Sequence, residues 1–151
     1  MQIVREGMLG FDSRTAETAV PHRVCQVIVG TGVDIVEVER VAAAIERFGA
    51  RFLRRIFTEA ERRYCDSKKN RVERYAARFA AKEAAFKALG TGWNRGVAWR
   101  EVEVGHAPGG RPTLSFTGTA AQHAQRLGVK RAALSLSHTQ QQAIAQVILE
   151  D

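Results

Sequence analysis

Two acids and four bases stand out in the 151-residue chain for the chemistry their types and spacing could support. Asp34 closes the β-branched run from Val27 to Ile35, which predicts a strand leading into a turn. Far along the chain, the Ala-rich segment Val72–Leu89 predicts a long helix carrying Arg78, Lys82, Glu83 and Lys87, closed by Gly90 as its C-cap. A hard cation such as Mg²⁺ takes oxygen ligands, often one or two carboxylates completed by waters and substrate phosphates. Asp34 and Glu83 supply such a pair only if the strand end packs on the long helix, and spacing alone does not establish that. Taken singly, Asp34 reads as a turn or N-cap acid. Glu83 with Lys87 reads as an i,i+4 surface pair contributing about 0.2–0.5 kcal/mol.

Other side chains near these carry weaker signals. Lys82 projects into the apolar sector of Tyr75, Phe79, Phe86 and Leu89, so it must run to the helix edge or meet an anion. His138 ends an apolar strand after Ser135-Leu136-Ser137, and those serines lack the strand–elbow–helix setting of an acyl-transfer nucleophile. Gly90-Thr91-Gly92 follows a helix rather than opening one, which suits a flexible loop better than a phosphate cradle.

The elements that must position these groups follow from pattern. From Glu37 onward Val41, Ile45, Phe48 and Phe52 recur at helical spacing, while Arg40, Arg47, Arg51 and Arg54 fall within about 60° on an adjacent face. Gly49 is placed to break or kink that helix. Thr58, three residues before Glu61, has the spacing of a capping box and predicts a short helix. Strand-like pieces follow at Val97–Val104, Pro112–Phe116, Ala132–His138 and Gln142–Leu149, with a helix over Ala120–Leu127 ended by Gly128. The order predicts an α+β fold with an antiparallel sheet. Residues 1–26 read as an N-terminal extension and 27–151 as one domain.

The chain has 23 Lys+Arg against 16 Asp+Glu, and its excess of seven positive charges sits between Arg40 and Arg78. Such a field favours a polyanionic partner, and the preponderance of arginine suits bidentate contacts to phosphate or carboxylate. Cys25 and Cys65 are too few for a disulfide framework or a zinc site, no run is long and apolar enough to span a membrane, and Met1–Cys25 lacks the layout of a secretory signal. A reduced, cytoplasmic protein is the expectation.

In this order the pieces resemble the short 4′-phosphopantetheinyl transferases, the family of bacterial holo-acyl-carrier-protein synthases. The matching residues are Gly30-Thr31-Gly32-Val33-Asp34-Ile35-Val36 with Arg40, Phe57-Thr58-Glu59-Ala60-Glu61, Arg78-Phe79-Ala80-Ala81-Lys82-Glu83-Ala84 with Lys87, and Ser135-Leu136-Ser137-His138-Thr139. The resemblance implies transfer of 4′-phosphopantetheine from coenzyme A to a serine of an apo acyl carrier protein, releasing adenosine 3′,5′-bisphosphate, in fatty acid biosynthesis. It implies Mg²⁺ held by Asp34 and Glu83, catalysis by these two with Lys87, and coenzyme A contacts from Arg78, Lys82, Lys87 and His138. Glu61 takes a supporting role, and Arg40, Arg47, Arg51 and Arg54 dock the acidic carrier. The base that takes the serine proton stays open among Glu83, Asp34 and a metal-bound water. Val36, where the longer relatives carry an acid, and the half-length chain point to the short type: a homotrimer built around the long central helix, with one subunit giving Asp34 and Glu83 and its neighbour His138.

A basic nucleic-acid-binding module is the rival. It accounts for the charge, but gives the two acids no task, and only two tyrosines, Tyr64 and Tyr75, lie in or beside the basic tract as stacking platforms. No nucleic acid and no membrane is the reading carried forward.

Overall fold

The computed structural model describes residues 26–92 and 96–151; of the expected extension, residues 1–25 lie outside them. Strand β1 (Ile28–Glu37) runs straight into α1 (Val38–Ile56), followed by α2 (Glu59–Asp66) and α3 (Arg71–Leu89). A single 3₁₀ turn at Trp99–Glu101 leads to β2 (Val102–His106) and β3 (Pro112–Phe116), then α4 (Gly118–Arg126), β4 (Arg131–His138) and β5 (Gln142–Glu150). The class is α+β and antiparallel throughout, as expected, but the strands form two sheets: β1-β5-β4, and the hairpin β2-β3.

Helix α3 is the hub. Its alanines 76, 77, 80, 81, 84, 85 and 88 are all buried, and so are Tyr75, Phe86 and Leu89. A helix buried on nearly every side normally reads as apolar all round; here small side chains let neighbours approach its backbone. The tightest approach comes from β1. A Cβ added to Gly32 would overlap the Ala84 carbonyl oxygen and lie 2.8 Å from Ala88 N, and one added to Gly30 would overlap the Ala88 carbonyl. The two glycines therefore serve close backbone approach, which is one of the few reasons for glycine inside a strand.

Several boundaries differ from the sequence expectation. β1 does not turn at Asp34 but pairs on through Glu37 opposite Gln142, and Val38 N donates to the Gln141 carbonyl at 2.8 Å as the helix begins. Asp34 thus sits inside the strand, opposite Ala145. The strand expected at Val97–Val104 starts only at Val102. Before it, one Glu101 carboxylate oxygen accepts from both Ala98 N and Ala120 N at 3.2 Å, curling the chain into a turn and tying it to α4. Gly49 is non-helical (φ 53°, ψ −136°), so α1 is two helices joined at a kink. The capping box is present: Thr58 Oγ1 accepts from Glu61 N at 3.3 Å, and Glu61 Oε2 accepts from Thr58 N at 2.8 Å. Gly90 closes α3 in the left-handed conformation. Cys65 is buried and unpaired, and burial pushes its thiol up to about 11, which leaves it protonated and inert at neutral pH.

Candidate active site

Alternation along β1 decides which side chains face α3. Gly32 and Val36 are buried against it and Asp34 is largely covered, while Thr31, Val33 and Ile35 point outward. With both glycines letting the strand down onto the helix, Asp34 meets the last turns of α3. Lys87 Nζ donates to Asp34 Oδ1 at 2.8 Å and to the Val33 carbonyl at 2.9 Å. Glu83, one turn earlier, is half-buried. Burial and then the Asp34 charge raise its proton affinity, and Lys87 partly offsets them. β1 thus brings Asp34 onto the part of α3 that carries Glu83 and Lys87: it is bonded to the lysine and within electrostatic reach of the glutamate.

That donor set fits a hard cation. Two carboxylates repelling one another, with a lysine ammonium standing against one of them, form a place where positive charge is favoured. Among the described residues no third Asp, Glu, His or Cys joins them. A metal there would keep positions for water and substrate oxygens, as Mg²⁺ does.

Arg78 and His138 lie together elsewhere, on a groove of about 370 Å³ that Arg74, His106, Gly110 and Ser137 also line. Arg78 is 2% exposed, and its Nε and Nη2 are buried without a hydrogen-bond partner among the described residues. Buried guanidinium nitrogens with no acceptor are costly and mark a position where an anion would be bound strongly. The Arg78 guanidinium carbon lies 4.2 Å from the centre of the Tyr64 ring. His138 Nδ1 is 3.7 Å from a Glu73 carboxylate oxygen. His106 stacks on Tyr64 with ring centres 4.5 Å apart; its pKa is lowered by burial and then by Arg78, Arg74 and Lys68.

Lys82 needs correction. It is completely buried, with Nζ 2.9 Å from Glu61 Oε2 and hydrogen bonds to the carbonyls of Trp99 and Val102. Its ammonium donors are spent inside the protein, so a phosphate contact would first have to break this pair. The anion that its apolar position demanded is Glu61, whose Oε1 also accepts from Val104 N at 2.9 Å. Burial pushes the Lys82 proton affinity down and the Glu61 charge pulls it back. Together they tie α2, α3 and β2 into one body.

Arg40, Arg47, Arg51 and Arg54 are all exposed, but the kink at Gly49 lies between the first two and the last two. The single-helix angles therefore hold only within each half. Beside Arg51 and Arg55 an apolar cavity of about 450 Å³ opens between Phe48, Phe52, Phe79 and Trp99. Sequence reasoning missed this cavity because its walls come from three separated segments. It also passed over Arg74 and His106; Arg74, one turn before Arg78, was the available signal.

Fold and site together define a class: a protein with a carboxylate pair suited to a hard cation and a separate arginine-bearing groove suited to phosphate. A model of the 4′-phosphopantetheinyl transferase superfamily matches residues 30–147, and the chain belongs to that superfamily of enzymes. Within it, the chain is similar to the holo-acyl-carrier-protein synthase of Koribacter versatilis (strain Ellin345), 67% identical over 124 residues, or 82% of this chain and 99% of that protein. The crystal structure of the synthase from Neisseria meningitidis matches with TM-score 0.76 and 34% identity over 83% of this chain and all of that one. That of Bacillus anthracis str. Ames in complex with CoA (3′,5′-ADP) matches with TM-score 0.68 and 36% identity, covering 82% of this chain and 97% of that one.

Proposed function

We propose that the protein is a holo-acyl-carrier-protein synthase that moves 4′-phosphopantetheine from coenzyme A to a carrier serine, serving fatty acid biosynthesis in the cytoplasm. The observation that carries this reading is the meeting of Asp34, Glu83 and Lys87 where β1 lies on α3. In the transfer the serine hydroxyl gives up its proton, to Glu83, Asp34 or water, and its oxygen bonds to the phosphorus that bears pantetheine. The bond from that phosphorus to the bridging oxygen of the diphosphate breaks, and adenosine 3′,5′-bisphosphate leaves. Such a reaction is mostly positioning and charge stabilisation. Asp34 and Glu83 would hold Mg²⁺, which supplies charge neutralisation on the diphosphate. Lys87, which now neutralises Asp34, is a half-exposed ammonium able to turn to a phosphate oxygen. Arg78, which lines the groove together with His138, would meet another phosphate there.

Arg78 and Lys87 are nine residues apart on α3, hence about half a turn apart in direction and about 13 Å along its axis. They open on opposite sides of the helix, so one ligand using both groups is better served by two copies, each giving half a site. The outer face of the three-stranded sheet supports assembly. Val33 and Ile35 of β1 and Ile144 of β5 are exposed at 54%, 58% and 43%, and Ile35 pairs directly with Ile144. Closed packing of three such faces in a homotrimer would bury them. The exposed arginines of α1 and the apolar cavity next to them suit a small acidic carrier: charge for encounter, the cavity for an apolar anchor.

The test is to incubate the wild type, Asp34→Ala and Glu83→Ala with coenzyme A, Mg²⁺ and an apo carrier, following carrier mass and adenosine 3′,5′-bisphosphate. The wild type should modify the carrier, and each variant should lose about 100-fold or more, the scale expected when a charge-stabilising group is removed. Undiminished product from both variants would remove the metal assignment, and no product from the wild type would remove the activity.

A further inference from the structure

We propose that Tyr64 is a positioning residue for the phosphate-binding arginine: its ring fixes the Arg78 guanidinium at the groove shared with His106 and His138. This rests on the reading of coenzyme A as the ligand and adds a residue that takes no direct part in the chemistry. Arg78 has a geometric problem that Tyr64 solves. A long flexible side chain carries considerable rotamer entropy, and the two buried guanidinium nitrogens of Arg78 have no acceptor among the described residues to fix them. Its guanidinium carbon instead sits 4.2 Å from the centre of the Tyr64 ring. A π face holds a cation by its quadrupole without consuming an N–H donor. The ring therefore fixes the guanidinium at the groove it lines without using up a donor, which an aspartate or glutamate in the same place would do.

The ring is itself held. Tyr64 lies on α2, one residue before buried Cys65, and three residues after Glu61, whose carboxylate is locked to Lys82 and to Val104 N. His106, at the end of β2, stacks on the Tyr64 ring at 4.5 Å with the planes 30° apart. The same strand register that anchors Glu61 thus sets the place of the ring. Lys68 Nζ also approaches it, 5.0 Å from the centre, from the exposed end of α2. The acceptor face is common to Tyr and Phe, so the hydroxyl is dispensable to this role.

The experiment compares coenzyme A affinity by calorimetry, and KM and kcat with an apo carrier, for the wild type, Tyr64→Leu and Tyr64→Phe, each also in an Arg78→Met background. Tyr64→Leu should weaken coenzyme A binding and raise its KM about three- to thirty-fold, the range of a partly buried cation–π contact. The KM for carrier should stay unchanged, Tyr64→Phe should restore affinity, and in Arg78→Met the Leu substitution should add nothing. Should Tyr64→Leu fail to fold, position 64 is filled with phenylalanine bearing zero, one, two or three ring fluorines. These keep the shape while draining the quadrupole, so affinity should fall stepwise with fluorination, and only while Arg78 is present. Equal affinity across the series, or a Leu effect that persists undiminished without Arg78, overturns the positioning role. Failure of the wild type to bind coenzyme A at all overturns instead the function on which it rests.

Discussion

Placing one methyl group on Gly32 should separate Asp34 from Glu83 without touching either. In Gly32→Ala the new Cβ overlaps the Ala84 carbonyl oxygen and lies 2.8 Å from Ala88 N and 3.0 Å from Ala84 C. All three are backbone atoms of α3, so no side chain can swing aside. Restoring ordinary van der Waals distance requires β1 to lift from the helix by about 1 Å at this point. Asp34 is two residues along the same face and would rise with it, stretching its 2.8 Å contact to Lys87 and leaving Glu83 behind. Overpacking of this kind costs about 3 kcal/mol, which for a chain of this size lowers the melting temperature by about 10 °C. A 1 Å misplacement of reacting groups can cost about 100-fold in rate. The assay is turnover of apo carrier well below the lowered melting temperature, with denaturant unfolding alongside. Gly105→Ala serves as control, since its Cβ would meet only the Thr113 hydroxyl, a side-chain atom, at 3.0 Å. If Gly32→Ala keeps wild-type turnover, the glycine-mediated approach of β1 to α3 is not what sets the acids.

Lys82→Met should destabilise the protein by about 3–5 kcal/mol in denaturant unfolding, because it leaves the Glu61 carboxylate buried and unpaired; adding Glu61→Gln should recover part of that loss. Arg40→Glu should raise the KM for an acidic carrier several-fold while leaving coenzyme A affinity unchanged, and the difference from wild type should shrink as salt is raised. His106, held below the ordinary imidazole value by burial and by three cationic neighbours, contributes stability that is complete above its unfolded pKa of 6.5. That contribution is lost as pH falls from there through its lower folded value. Unfolding measured between pH 7.5 and 5 should show a shallower acid slope in His106→Asn than in the wild type.

Local rules carried most of the element pattern. The capping box at Thr58 and Glu61, the αL glycine after Leu89 and the strands β4 and β5 depend on neighbours a few residues away, and each lies within a residue of where the sequence placed it. The misplacements share a cause of the opposite kind. β1 outruns its expected turn because β5 offers partners as far as Gln142. The chain before β2 curls because Glu101 reaches Ala120 N in α4. Both are long-range pairings that no window of the sequence contains.

The site divides along the same line. That Asp34 comes within electrostatic reach of Glu83 was readable only as a condition, because it depends on two glycines and two alanines whose value is the absence of side chain. Small residues in a strand and a helix look like weak propensity until their surfaces are laid together, when they become the means of closest approach. Lys82 shows the reverse. Its apolar position correctly demanded an anion, and among the ligands a lysine could meet, a phosphate and an internal carboxylate satisfy that demand equally well. Choosing between them needs the distance to Glu61, twenty-one residues away in sequence and on another helix. Arg78 presents the same demand, and among the described residues its buried Nε and Nη2 find no acceptor, only a ring that faces the charge. Two bases four residues apart on one helix, both buried, are thus set apart by what α2 places opposite each: an acid closes Lys82 into the framework, and an aromatic face backs Arg78 without taking up its donors.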